Sequence, residues 1–161
     1  MIHVNYSMTQ KEHKKIYLQV MTMSYMKIYF IVLSLGVIVT KLLGLLFKSE
    51  GLNNTATSLF ITFIPTLILC LGLSIFVSYL DYKKVIKTNV VEGNFKIRFD
   101  KKMFIWQTNG ENNKLSYKGF IARKGFKNTV ILNNPESYCI VIPANLITNE
   151  QYKTIKEAIR G

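Results

Sequence analysis

The chain has 161 residues, 49% of them hydrophobic, and a mean hydropathy of +0.19; that length excludes more than one ordinary soluble domain, and that hydropathy is high for a wholly soluble protein of this size. Lys and Arg number 21 against 9 Asp and Glu, a formal net charge of +12, which suits an anionic partner such as nucleic acid, an anionic lipid surface or an acidic protein. The two cysteines, Cys70 and Cys139, exclude a disulfide framework, and with no Cys or His at ligand spacing both read as reduced structural residues.

At the N-terminus, Ile2, Val4 and Tyr6 alternate with His3 and Asn5, the period of a short strand. Thr9, with Glu12 three residues on, makes a capping box, so a helix is expected from Gln10 through Tyr17 and Val20. Residues 1–27 thus read as a strand followed by a basic helix.

Residues 28–47, IYFIVLSLGVIVTKLLGLLF, are long enough to cross a hydrocarbon core as a helix. Lys41 interrupts the run. About fourteen Leu, Ile, Val and Phe side chains contribute roughly −0.3 to −0.6 kcal/mol each to insertion. A central Lys costs about 2.5 to 3.5 kcal/mol, and Lys41 lies toward the far end, where its ammonium reaches the headgroups. Insertion wins. A cleaved signal peptide fits poorly: the polar lead is long, the apolar stretch exceeds an h-region and no small-residue cleavage site follows.

Residues 48–57, KSEGLNNTAT, are polar and rich in turn formers and read as a loop. Residues 59–80, LFITFIPTLILCLGLSIFVSYL, form the second span and carry no charge. Pro65 can kink it, which transmembrane helices tolerate where neighbours satisfy the freed carbonyl. Tyr25, Tyr29, Tyr79 and Tyr82 fall at the expected interfacial belts. Lys11, Lys14, Lys15 and Lys27 precede the hairpin and Lys83, Lys84 and Lys87 follow it, whereas the link has Lys48 offset by Glu50. The positive-inside rule then places both termini in the cytoplasm of a multi-pass cell-membrane protein. Small residues recur every fourth position at Gly36, Thr40 and Gly44, and again at Thr62, Thr66, Cys70, Ser74 and Ser78. Such stripes let helices approach closely in lipid, with Gly36 expected near the depth of Cys70 and Gly44 near Thr62. They also suit homo-oligomerisation.

Residues 81–92 read as a helical stalk that Gly93-Asn94 breaks. From Phe95 the period becomes two. Strands are expected over residues 95–100, 103–108, 114–117, 120–123, 129–132 and 138–142. Asn109-Gly110 is a hairpin signal, with residues 111–113 able to lengthen the loop. Thr148, with Gln151 three residues on, caps a helix over residues 149–160, and Tyr152, Ile155 and Ile159 give it one apolar face. The fold class is a membrane α+β protein: a two-helix transmembrane hairpin (residues 28–80) and a small antiparallel sheet closed by a C-terminal helix (residues 93–161), with the N-terminal strand available to complete the sheet.

Tyr117 and Ile121, the runs Val130-Ile131-Leu132 and Cys139-Ile140-Val141-Ile142-Pro143, then Ile147 and the helix from Gln151 to Ile159 follow an order that resembles the YcxB-like family of bacterial membrane proteins. The likeness spans nearly the whole chain, although Ala144 stands where the family often has a basic residue. It implies a pleckstrin-homology-like (PH-like) cytoplasmic tail and supplies no catalytic residues.

No catalytic or metal constellation is readable. His3 and His13 have no Cys or carboxylate cluster beside them, the acidic residues show no paired spacing, and Gly119 and Gly125 are too isolated for a phosphate loop. No cofactor and no enzymatic activity are expected. Lys118, Arg123, Lys124 and Lys127 interleave with Phe120 and Phe126. They read either as a surface for anionic lipid or an acidic partner or as a solvated face that follows the positive-inside bias. The expected function is a membrane-tethered interaction module that binds membrane lipid or another protein. A bacteriocin or toxin immunity protein is the alternative, and nucleic acid is not an expected partner.

Overall fold

The alternation at the N-terminus becomes strand β1 (Ile2–Met8), whose Val4 and Met8 are buried and Tyr6 half-buried, while His3, Asn5 and Ser7 are exposed. The structure, a computed structural model, describes residues 2–48, 50–61, 63–100, 102–108, 110–125, 128–134 and 138–160. Thr62, Phe126, Lys127, Pro135 and Glu136 lie outside the described residues. Three helices come next: α1 (Gln10–Leu46), α2 (Glu50–Ile61) and α3 (Phe63–Thr88). Only after them comes the partner of β1, strand β2 (Gly93–Phe99), antiparallel with Val4 opposite Ile97 and Tyr6 opposite Phe95. Strands β3 (Met103–Thr108) and β4 (Glu111–Ser116) extend this to a four-stranded sheet in the order β1-β2-β3-β4. A second antiparallel sheet holds β5 (Ile121–Lys124), β6 (Val130–Asn134) and β7 (Tyr138–Ile142), and helix α4 (Asn149–Arg160) ends the chain.

The helix starts follow their capping boxes. Glu12 N–H donates to Thr9 Oγ1 at 3.3 Å, and Thr9 N–H donates to Glu12 Oε2 at 2.9 Å. Thr148 and Gln151 repeat the exchange at 2.9 and 3.2 Å. Each box satisfies donors that a helix N-terminus leaves orphaned.

Two units divide the chain: Met1–Met21 with Ser78–Gly161, and Thr22–Val77. The first holds both sheets, α4 and one end each of α1 and α3. Its core takes Phe95, Ile97, Phe99, Phe104 and Trp106 from the first sheet and Ile155 from α4. The second sheet buries successive residues, Val130-Ile131-Leu132 and Cys139-Ile140-Val141-Ile142. A strand loses its polar alternation when both faces are covered, and here Val20 of α1 reaches one side of this sheet at Gly125. In the second unit, α1, α2 and α3 expose their apolar side chains, among them Ile28, Leu46 and Leu69, and Phe30 meets Phe63 edge-on at 5.9 Å. Helices Gln10–Leu46 and Pro65–Thr88 are long and apolar enough to cross a membrane, with mean hydropathies of 2.2 and 1.5 in their most apolar windows.

Two expectations are corrected. The link over residues 48–57 is helical from Glu50, and residues 59–61 of the second apolar run belong to α2. Glu50 in the first turn favours that helix through the positive end of its dipole, and this outweighs the modest propensity cost of Asn and Thr. Pro65 lies within α3. In the first sheet, β4 begins at Glu111, directly after Gly110, whose φ of 90° suits a tight hairpin. Thr108 pairs with Glu111, so residues 111–113 lengthen the strand and not the loop.

Candidate functional site

Among the described residues, the basic run around β5 divides between two faces of the strand. Adjacent residues of a strand point to opposite faces. Arg123 accordingly sends Nη1 to Met21 Sδ of α1 at 3.1 Å. Lys124 turns to α4, where its ammonium donates to Asn149 Oδ1 and lies 5.7 Å from the centre of the Tyr152 ring. Lys118 is exposed in the preceding turn, and Lys127 lies outside the described residues. Phe120 is buried against Phe104 at 5.1 Å, edge to face, so it is a core residue and not one available to a membrane surface.

The small-residue stripe of α3 lies on one face: Thr66 and Cys70 are half-buried and Ser74 and Ser78 are buried. The Ser74 hydroxyl donates to the Cys70 carbonyl at 2.6 Å. On α1, Gly44 is buried and Thr40 is half-buried with its hydroxyl on the Gly36 carbonyl at 2.8 Å. Gly36 itself is exposed, with open space where a Cβ would stand, so no second backbone approaches it. Thr62 is outside the described residues.

Within the first unit, α1 and α3 meet through aromatic side chains. Tyr17 and Tyr82 lie 5.4 Å apart and His13 sits 5.7 Å from Tyr82. The Tyr82 hydroxyl donates to the Gln10 carbonyl at 3.3 Å. His13 is buried, and neither ring nitrogen has a hydrogen-bond partner among the described residues. Burial lowers its pKa to about 4, because the charged form loses its hydration. Burial likewise pushes the Cys139 thiol up to about 12, with Arg123 a weaker opposing influence. On the exposed side of the same helix pair, two lysines converge on one ring. The Lys14 ammonium of α1 stands 5.1 Å from the centre of the Tyr79 ring, and that of Lys83 stands 5.0 Å away. Sequence reading counts both lysines only as flanking charge and Tyr79 only as a belt residue. The i, i+4 spacing of Tyr79 and Lys83 was the available signal; that Lys14 joins them depends on how α1 pairs with α3.

Among the described residues no group of three or more His, Cys, Asp or Glu side chains is placed to hold a metal. The chain matches no family model, no curated protein and no solved structure.

Proposed function

We propose that the protein is an integral membrane protein whose β domain is a cytoplasmic interaction module, non-enzymatic and of the YcxB-like type. The observation that carries this reading is the pairing of β1 with β2 across two long apolar helices. A chain that leaves a domain through one such helix and returns to it through another must bring both its ends to one side of a bilayer. Helix α1, with 37 residues, is about 55 Å long at 1.5 Å per residue. A hydrocarbon core of about 30 Å needs only about 20 of them. The exposed apolar side chains from Ile28 onward suit lipid, and the earlier turns carry Lys11, Lys14 and Lys15, which suit the cytoplasmic face.

A four-stranded sheet, a three-stranded sheet and one final helix support a PH-like reading of the domain, with the membrane hairpin occupying the connection between its first two strands. On this reading the domain presents its surface to a protein or to anionic lipid at the membrane. The test is extraction of native membranes at alkaline pH, followed by assay of the purified protein. The protein is expected to stay with the membrane until detergent is added and to turn over no lipid. Release into the aqueous phase, or turnover of a lipid, overturns the proposal.

A further inference from the structure

We infer that Lys14, Tyr79 and Lys83 form a clamp for the phosphate of an anionic phospholipid headgroup at the surface of the protein's own membrane. The inference rests on the membrane reading above and names a ligand and a site for it. Both ammonium groups lie about 5 Å from one tyrosine ring, within the range of a cation–π contact. One ring thereby gathers an ammonium from each of two helices without cancelling either charge. The ion pair of Arg98 with Asp100 involves neither lysine. Glu12 is engaged in its capping box, and Asp81, two residues from Tyr79, falls on another side of α3. An anion that reaches both ammonium groups gains a charge-assisted contact from each helix.

Position selects the anion. The exposed apolar row of α3 includes Ile68, Leu71, Ile75, Phe76, Tyr79 and Leu80. Lys83 follows Leu80 within one turn, and Lys84 and Lys87 extend the charge. Tyr79 is 37% exposed, so part of its side chain remains open to a headgroup. Aromatic rings with a polar tip settle at this depth. A phosphate tethered to acyl chains is presented there at high local concentration, whereas a free phosphate is not, and the site is therefore assigned to lipid.

The experiment uses the full chain purified in a neutral detergent. Binding of phosphatidylglycerol and of phosphatidylcholine with identical chains is measured by native mass spectrometry. The wild type is expected to prefer phosphatidylglycerol. The double variant Lys14→Ala/Lys83→Ala is expected to lose about 30-fold in that preference, since each lysine near an anionic lipid contributes about 1 kcal/mol. The Lys14→Arg/Lys83→Arg variant should retain it, as should Lys118→Ala/Lys124→Ala. Tyr79→Phe should keep the clamp and Tyr79→Leu should weaken it. Equal binding of the two lipids by the wild type, unchanged preference in the double alanine variant, or displacement of phosphatidylglycerol by millimolar inorganic phosphate overturns the assignment. Failure of the membrane reading would be seen separately, as a protein that remains monodisperse in water without detergent.

Discussion

The Tyr6 hydroxyl donates a 2.6 Å hydrogen bond to the carbonyl of Val141, joining residues 135 positions apart. Val141 lies on β7, an edge strand of the second sheet, and its carbonyl points outward, on the same edge as the N–H of Cys139. That N–H donates to Asn89 Oδ1 at 2.8 Å. Two side chains, one from β1 and one from just after α3, therefore satisfy an edge that would otherwise stand open. Tyr6→Phe leaves the Val141 carbonyl without its partner at nearly constant packing. The expected loss is about 1–3 kcal/mol of stability, read as a lower melting temperature of the detergent-solubilised protein. An unchanged melting temperature would mean that Tyr6 does not tie the two sheets together.

Gly125 marks a close approach of the segment after β5 to α1. A Cβ there would lie 2.4 Å from Val20 Cγ2 and 2.5 Å from Thr129 Oγ1. Val20 is fully buried and β-branched, so it has little freedom to move aside. Gly125→Ala is expected to cost about 1–3 kcal/mol through overpacking. Adding Val20→Ala should recover part of that loss, and a double-mutant cycle measures the coupling. Strictly additive effects would contradict the contact.

His13 makes the fold sensitive to acid. Its pKa in the folded protein, about 4, lies below the ordinary value near 6.5, because its ring is buried without a hydrogen-bond partner among the described residues. The unfolded chain takes up the proton first. Stability is therefore fully present above about pH 6.5 and is lost as the pH falls from there toward 4, by about 3 kcal/mol in all. His13→Phe keeps a ring against Tyr17 and Tyr82 and removes the proton site. Thermal melts at pH 7.5 and 4.5 should differ for the wild type and converge for the variant, apart from what the carboxylates contribute to both.

Cys139 is buried and its thiol is held near 12, so almost no thiolate forms at neutral pH. A maleimide is expected to leave it unmodified in the folded protein and to react once denaturant is added. Modification at the same rate in both states would place Cys139 at the surface.

Parts of this architecture are legible in the sequence because they rest on short-range chemistry. Thr9 with Glu12 and Thr148 with Gln151 mark the starts of α1 and α4, and the run at residues 138–142 is β7 to the residue. Alternation shows that Ile2, Val4 and Tyr6 belong to a strand but not that Phe95 and Ile97 lie opposite them, because pairing over that distance is decided by tertiary packing. The link after residue 47 misleads, since turn-forming residues describe a preference of about half a kcal/mol each, which helix-end electrostatics and neighbouring apolar residues overcome. Lys118, Arg123 and Lys124 look like one basic patch when read along the chain. The two-residue period of β5 sends Arg123 toward Met21 and Lys124 toward Asn149. The reverse holds for Lys14 and Lys83, which are far apart in the chain and share the ring of Tyr79.

The central claim is that a membrane hairpin is set within one cytoplasmic domain, and sidedness tests it most directly. Single cysteines are placed at His3, Thr55 and Lys156, with Cys70 and Cys139 left as they are, and intact cells are treated with a membrane-impermeant maleimide. Thr55→Cys, on α2 between the two apolar helices, should label in intact cells, whereas His3→Cys and Lys156→Cys should label only after the membrane is permeabilised. Labelling of either terminal position in intact cells, with Thr55→Cys protected, would contradict the account.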